Sequence, residues 1–151
     1  MHTRVLQAVF LVLLLASSPI GLGCSVLEPI SDETHFGKAT AVFLARVVRT
    51  EARAKPERWG SQDVLVVEGT YKLVEVFKGQ PKDEDIVLDL VFGPGNCSLG
   101  LMAGLHYLFF IYGDDRFVLW PRGSRGYVNL EGTKVKPELE KFRALARQHA
   151  K

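Results

Sequence analysis

Residues 41–50 read AVFLARVVRT, and this run of β-branched, aromatic and small apolar residues predicts a buried strand. Two later runs have the same character: residues 86–92, IVLDLVF, and residues 105–112, LHYLFFIY. All three runs are apolar at both alternating positions, so each predicted strand needs cover on both of its faces. A small barrel with helices outside it meets that need, because one face fills the barrel and the other lies under the helices.

Two more predicted strands bring the sheet to five. Residues 63–77 are expected to form a long strand, in which Gly69 indicates a bulge or a sharp bend. Residues 116–120, RFVLW, are expected to pair with residues 105–112 in a hairpin across residues 113–115. Five strands separated by turns, with helices only near the ends, favour a mainly β protein with a closed five-stranded barrel over an α/β sheet.

A short helix before the strands and a longer helix after them complete the predicted domain. Ser31, followed by Asp32 and Glu33, supplies the N-cap residue and the first-turn acids of a helix over residues 31–39. Pro137 favours the start of the C-terminal helix. Apolar residues recur on one face of that helix, namely Leu139, Phe142, Leu145 and Ala146.

The first 23 residues are expected to be a signal peptide that is removed from the mature protein. Arg4 supplies a positive start, and residues 5–16 are almost entirely apolar. Gly21 and Gly23 provide the small residues of a cleavage region, and the apolar run is shorter than the roughly 20 residues that span a bilayer. We therefore expect residues 24–151 to form a single exported domain, secreted or periplasmic.

The composition excludes several classes of protein. The chain has 151 residues, 47% of them hydrophobic and 24% charged, which is the composition of one folded domain and not of a disordered chain. Its 19 basic and 17 acidic side chains argue against a dedicated nucleic-acid binder. Two cysteines are too few for a four-thiolate zinc site, and His35, His106 and His149 are too scattered for a metal or catalytic motif. We expect no enzyme activity, no cofactor and no nucleic-acid partner.

Cleavage after Gly23 would place Cys24 at the mature N-terminus, where a cysteine has two alternative fates. In bacteria such a cysteine can be lipidated, which would anchor the protein on the outer face of a membrane, although the usual motif has an aliphatic residue where this chain has Gly21. Alternatively, Cys24 keeps a free α-amino group and forms a disulfide with Cys97, the only other cysteine. That disulfide would close a loop of about 74 residues and stabilise the fold by up to ~4 kcal/mol, which would also give both cysteines a purely structural role.

Five segments, taken in order, resemble one known family. They are Cys24, residues 36–48 (FGKATAVFLARVV), residues 71–79 (YKLVEVFKG), residues 96–98 (NCS) and residues 104–110 (GLHYLFF). This order is similar to the netrin-like module of tissue inhibitors of metalloproteinases, netrins and some complement components. It is most similar to the inhibitory N-terminal domain and its small secreted bacterial relatives. The resemblance implies an OB-type, five-stranded barrel.

The same resemblance implies a mechanism of inhibition. In the inhibitors of this family, the α-amino nitrogen and the carbonyl oxygen of the N-terminal cysteine chelate the catalytic zinc of a metallopeptidase, which keeps a coordination position open. Carried over to this chain, Cys24 would be the chelator and Cys97 its anchor, while Ser25 and Val26 would enter the protease cleft. The inhibitors have a second cysteine at the position of Val26, so one of their disulfides is missing here.

Residues 52–61, ARAKPERWGS, predict a polar loop, which the resemblance places beside the inhibitory contact together with residues 95–99. Trp59 in this loop is a candidate anchor for a protein partner, because aromatic residues dominate binding hot spots. Alternatively, Trp59 folds over the edge of the barrel and only stabilises it. The expected function is that of a secreted, non-enzymatic binding domain, with a lipid-anchored or structural interaction module as the alternative.

Overall fold

A five-stranded antiparallel sheet forms the centre of the protein, whose computed structural model describes residues 30–93 and 97–149. The strands are β1 (Ala41–Ala52), β4 (Val66–Lys78), β5 (Glu84–Leu90), β6 (His106–Ile111) and β7 (Arg125–Tyr127). Their order across the sheet is β5-β4-β1-β6-β7. A separate hairpin pairs β2 (Glu57–Trp59) with β3 (Gln62–Val64). The mainly β class predicted from the sequence is confirmed.

Both faces of the central sheet are buried, as the apolar runs predict. In β1, Val42 and Leu44 belong to one core cluster, whereas Phe43 and Ala45 belong to another on the opposite face. The second cluster contains Val87 from the edge strand β5 and Val118 from the segment after β6. Because both pack into one cluster, the sheet curves around that cluster. Three register shifts between β1 and β4 accompany this curvature, since a bulge bends and twists a strand.

Two helices cover the first cluster. Helix α1 (Asp32–Lys38) begins at the predicted N-cap, where the Ser31 hydroxyl accepts a hydrogen bond from the Thr34 amide at 3.2 Å. Helix α2 (Val135–His149) begins two residues before Pro137, and its predicted apolar face is buried. The ring of Phe142 lies at its centre and contacts three other rings, those of Phe36, Phe77 and Phe110.

The predicted closed barrel is wrong, because the sheet stays open between β5 and the segment that follows β6. A single parallel bridge, Leu88 to Phe117, joins these two edges. The predicted hairpin between residues 105–112 and 116–120 is also wrong, because β6 pairs with β7 instead. The Phe117 amide donates to the Asp115 carboxylate, and the Trp120 amide donates to the Cys97 carbonyl. A 3-10 helix, Trp120–Arg122, then ends the extended run at Pro121, which has no N–H.

The loop predicted over residues 52–61 is shorter than expected. Strand β1 continues through Ala52, and residues 57–59 pair with residues 62–64 across a two-residue turn. Gly60 takes a φ of 60° in that turn, a conformation that glycine adopts without strain. The long strand predicted at 63–77 is consequently divided at Leu65 into β3 and β4.

Candidate functional site

A buried aspartate organises the loop that carries Cys97. Asp89 is fully buried near the end of β5, and its two carboxylate oxygens accept five hydrogen bonds of 2.9 to 3.3 Å. The donors are the Ser98 hydroxyl and the amides of Leu90, Leu99, Gly100 and Leu101. Burial raises the pKa of the Asp89 carboxyl, and the hydrogen bonds from the loop oppose that shift. Four of the five donors belong to residues 97–102, which we call the Cys97 loop.

The far end of the Cys97 loop is fixed by packing and by a tyrosine. The Tyr107 hydroxyl donates to the Gly100 carbonyl at 3.1 Å and accepts from the Met102 amide at 2.9 Å. Leu101 is buried against β4, where its Cδ1 atom lies 2.8 Å from the position that a Cβ would take at Gly69. Gly69 pairs in continuous register with Thr50 and with Val87, so the bulge predicted at this glycine is wrong. The glycine instead leaves room for Leu101.

Large apolar side chains adjoin the Cys97 loop and face solvent. Phe92 is 77% exposed, and its ring lies 3.6 Å from the position that a Cβ would take at Gly100. Trp120 is 57% exposed and is tied to the loop through its amide, which donates to the Cys97 carbonyl at 3.2 Å. Phe92, Met102 and Trp120 are exposed apolar residues in or next to the loop, and we call these three residues the loop surface. Exposed aromatic groups on a rigid support are typical of protein-binding sites.

A cleft of about 270 Å³ continues the loop surface toward α1 and is lined by Ile30, His35, Trp120 and Pro121, among others. The Nδ1 atom of His35 lies 2.7 Å from the Tyr112 hydroxyl, which itself donates to the Arg122 carbonyl at 3.0 Å. Because the hydroxyl already donates, His35 must donate from Nδ1. Burial lowers the pKa of His35, with Asp32 opposing the shift, so the ring is neutral at pH 7.

Ion pairs fix the far wall of this cleft. The Arg125 guanidinium contacts Asp32 at 2.9 Å and Glu138 at 2.6 Å, which joins α1 to α2. Although burial raises the pKa of the Asp32 carboxyl, hydrogen bonding to Arg125 prevails and holds it below its ordinary value. Lys141 also pairs with Asp32, at 3.1 Å, so two cations balance the two acids, and the accessible part of the cleft is mainly apolar.

The arrangement is suited to binding, and the ionisable groups beside it already have structural roles. Within residues 30–93 and 97–149, no group of three or more histidine, cysteine, aspartate or glutamate side chains could hold a metal ion. The imidazole of His35 uses Nδ1 to hold Tyr112, and Asp89 uses both oxygens to hold the Cys97 loop. None of the described helices is long and apolar enough to cross a membrane.

The predicted site residues fall into two groups. Cys24, Ser25 and Val26 lie outside the described residues, so the predicted disulfide from Cys24 to Cys97 lies outside them as well. Cys97 is half-buried beside the cluster formed by β4, β5 and Phe117. Trp59 is half-buried against the same cluster, with its ring centroid 6.1 Å from that of Phe117. The packing that was the alternative for Trp59 is therefore present, and its role toward a partner stays a prediction.

Sequence reasoning did not single out Asp89, Phe92 and Trp120 as residues of the candidate site. A signal for Asp89 was available, because it is the one charged residue in the run IVLDLVF, and a charge in a buried strand needs partners. Phe92 and Trp120 carry no such signal, because they end apolar runs and look like core residues. Only the tertiary structure leaves them exposed.

Comparison of the chain with protein-family models gives no match, and comparison with curated proteins gives no match either.

Proposed function

We propose that this chain is a secreted or periplasmic, non-enzymatic binding domain that inhibits a zinc metallopeptidase. Its mature N-terminus, Cys24, would chelate the zinc of the peptidase through its α-amino nitrogen and its carbonyl oxygen. Ser25 and Val26 would enter the substrate cleft, and the loop surface would widen the contact. The observation that carries the proposal is the Cys97 loop itself, a rigid loop bordered by exposed aromatic groups.

Rigidity matters because an inhibitor that is already ordered loses little conformational entropy on binding. The Cys97 loop receives its order from its four hydrogen bonds to Asp89 and from Tyr107. A disulfide from Cys97 to Cys24 would extend that order to the chelating atoms. The proposal therefore gives a role to an acid buried beneath a half-buried loop that exposed aromatic groups border.

The geometry near Ile30 also supports the proposal. Ile30 lines a cleft together with Trp120, and the Trp120 amide donates to the Cys97 carbonyl. Cys24 precedes Ile30 by six positions, and six residues of extended chain reach at most about 20 Å. That length of chain would bring Cys24 from Ile30 to the neighbourhood of Cys97.

A netrin-like, OB-type relationship is part of the same proposal. Strands β4, β1 and β6 are neighbours in one curved sheet, and the bridge from Leu88 to Phe117 draws the two edges toward each other. An OB barrel is itself partly open, so an open sheet with one bridge is compatible with that relationship. A helix at the C-terminus replaces the cysteine-rich part of the animal inhibitors.

The test compares two forms of the protein on a panel of zinc metallopeptidases. One form begins at Cys24 with a free amine, and the other carries one alanine before Cys24. We expect the first form to inhibit at least one peptidase and the second to be weaker by about 100-fold or more, or ~2.7 kcal/mol, because its amine is displaced from the zinc. Circular dichroism and thermal unfolding should be the same for both forms.

Equal inhibition by the two forms would reject chelation by Cys24. The intact mass of the exported protein, measured before and after reduction, separates the alternative from the proposal. A chain that begins at Cys24 and is two hydrogens lighter before reduction supports the free amine and the disulfide. A mass increased by acyl groups would indicate the lipid-anchored interaction module instead.

A further inference from the structure

A second cleft, of about 380 Å³, is not lined by any residue of the loop surface. Its walls are the start of β5, residues 80–82 and residues 113–116. The bridge between Leu88 and Phe117 is the one place where β5 pairs with the segment after β6 in the described chain. The cleft opens beside that bridge, where the two segments do not pair, so it results from the open sheet.

The floor of the cleft is apolar and aromatic. Phe43 and Tyr71 lie there with ring centroids 5.1 Å apart, and Val87 and Ile111 adjoin them. Phe43 and Tyr71 both belong to the core cluster inside the curved sheet, so their positions are set by packing. Such a floor provides a rigid apolar surface for a ring or a short branched chain.

The hydroxyl of Tyr71 is the unusual polar group in this cleft. Tyr71 is only 4% exposed, and among the described residues its hydroxyl has no hydrogen-bond partner, whereas those of Tyr107 and Tyr112 are bonded. Tyr71, its cross-strand neighbour Asp85 and Arg116 all line the cleft, and the charges of Asp85 and Arg116 act on the hydroxyl. Burial raises the pKa of Tyr71 to about 12, which keeps the hydroxyl protonated as a donor.

Two of the three acids that line the mouth of the cleft are already engaged. Asp85 accepts from the Ile86 amide at 2.8 Å. Asp115 accepts from the Phe117 amide at 2.9 Å and forms an ion pair with Arg122. Their carboxylates are therefore held by the protein itself.

Arg116 is the cation that stays available at the mouth. Its exposed guanidinium has no ion pair and no side-chain hydrogen bond with any described residue. The third acid, Asp114, is exposed on the turn before Arg116. Lys82 also lines the cleft, but its Nζ atom lies 3.9 Å from an Asp85 carboxylate oxygen, so that acid already balances its charge. An anion that enters the cleft therefore meets a guanidinium that no buried acid neutralises.

We propose that this cleft binds a small monocarboxylate with an apolar ring or short branched chain. The carboxylate accepts hydrogen bonds from the Arg116 guanidinium and the Tyr71 hydroxyl, and the apolar part lies against Phe43. A guanidinium matches a carboxylate in shape and charge, and the cleft has the volume of a site for a small ligand. The site is distinct from the loop surface, because Phe92, Met102 and Trp120 do not line this cleft.

The test is a ligand titration monitored by ¹H–¹⁵N correlation spectra of the purified mature protein. The probe is phenylacetate, and its neutral analogue phenylacetamide is the matched control. We expect saturable shifts at the amides of residues 85–87 and 113–116, with a dissociation constant of about 1 mM or tighter. We expect phenylacetamide to bind at least about tenfold more weakly, since it lacks the charge.

Two variants test the named donors. Arg116→Gln and Tyr71→Phe should each weaken phenylacetate binding about tenfold, the factor for loss of one hydrogen bond to a charged group. Arg58→Gln is the control, because Arg58 pairs with Asp63 on the hairpin away from this cleft, and its affinity should be unchanged. Tyr71→Phe keeps the ring, and Arg116 is exposed, so both variants should keep the fold.

Three results would overturn the proposal. The first is the absence of saturable shifts at the cleft, which includes shifts confined to the Cys97 loop. The others are equal binding of the acid and the amide, and unchanged affinity in Arg116→Gln.

Discussion

The Cys97 loop and the helix layer are both ordered, but different forces hold them. The loop depends on one carboxylate, that of Asp89, which accepts five hydrogen bonds. The helix layer depends on many apolar contacts shared among α1, α2 and the outer face of the sheet, with Phe142 at the centre. A hydrogen-bonded centre fixes direction and register, whereas apolar packing fixes volume. Polar contacts therefore order the Cys97 loop, whereas apolar packing holds the helix layer on the sheet.

The largest expected effect comes from the centre of the helix layer. Phe142→Ala should lower the free energy of unfolding by about 3–5 kcal/mol, because it removes a buried ring and leaves a cavity. Phe142 is fully buried and contacts Phe36, Phe77 and Phe110. Urea denaturation measures the change, and Gln148→Ala, at an exposed position of the same helix, serves as the control. A loss below about 1 kcal/mol would mean that α2 contributes little to the fold.

The second-largest effect is expected at Asp89, the carboxylate that orders the Cys97 loop. Asp89→Asn should cost about 2–3 kcal/mol, because the amide nitrogen would face donors that now point at an oxygen. We expect amide hydrogen exchange to speed up first at residues 99–101, whereas the exposed Asp83→Asn should leave it unchanged. If hydrogen exchange became faster by the same factor over the whole sheet, Asp89 would stabilise the whole fold and not the Cys97 loop in particular.

A smaller, pH-dependent effect on stability is expected from His35, which belongs to α1 and lines the cleft next to the loop surface. Its folded pKa lies below the ordinary value of 6.5 because of burial, so the unfolded chain binds more protons in the interval between the two values. Acidification from pH 7 should therefore lower stability, by at most about 1.4 kcal/mol per pH unit for this one proton. Asp32, whose pKa is also lowered, acts at more acidic pH, below its ordinary value of 3.8.

Thermal unfolding between pH 7 and pH 5 measures the His35 contribution. His35→Gln should remove most of the pH dependence in that range, although it also weakens the contact with Tyr112. His149→Gln, at the exposed end of α2, is the control and should retain the original profile. An unchanged slope in His35→Gln would assign the dependence to other groups.

The smallest effect on stability is expected at the loop surface. Phe92→Ser should change the free energy of unfolding by less than about 0.5 kcal/mol, because the ring is already 77% exposed. It should weaken inhibition of a susceptible metallopeptidase about tenfold, since exposed aromatic groups act as anchors. Val128→Ser, an exposed apolar residue after β7, should alter neither quantity. Equal inhibition by Phe92→Ser would remove Phe92 from the contact.

Much of the scaffold follows from local pattern. The Ser31 cap, the apolar face of α2 and the burial of β1 on both faces follow from residue spacing. These features depend on neighbours along one strand or helix, whose geometry repeats regularly. Strand β7, at residues 125–127, has no such pattern and was not predicted, because it is short and takes its order from pairing with β6.

The open sheet and the two clefts could not be predicted in that way. Whether the sheet closes into a barrel depends on which acceptors the amides of residues 117–120 bind. The amide of Phe117 donates to Asp115, that of Val118 to β5, and that of Trp120 to the Cys97 loop. Gly69 signalled an interruption, yet the reason is the approach of Leu101, which is 32 residues later in the chain. Such long-range choices are absent from any local pattern.

By itself, the sequence determined a mainly β domain covered by two helices, because hydrophobic periodicity and capping act over a few residues. The sequence also contains a signal for Asp89, the one charge in the run IVLDLVF, but our sequence interpretation did not use it. The tertiary structure alone decided that Asp89 would hold the Cys97 loop, that Phe92 and Trp120 would face solvent, and that the barrel would stay open. Each of these outcomes depends on which distant groups form hydrogen bonds with each other, and those pairings exist only in the folded chain.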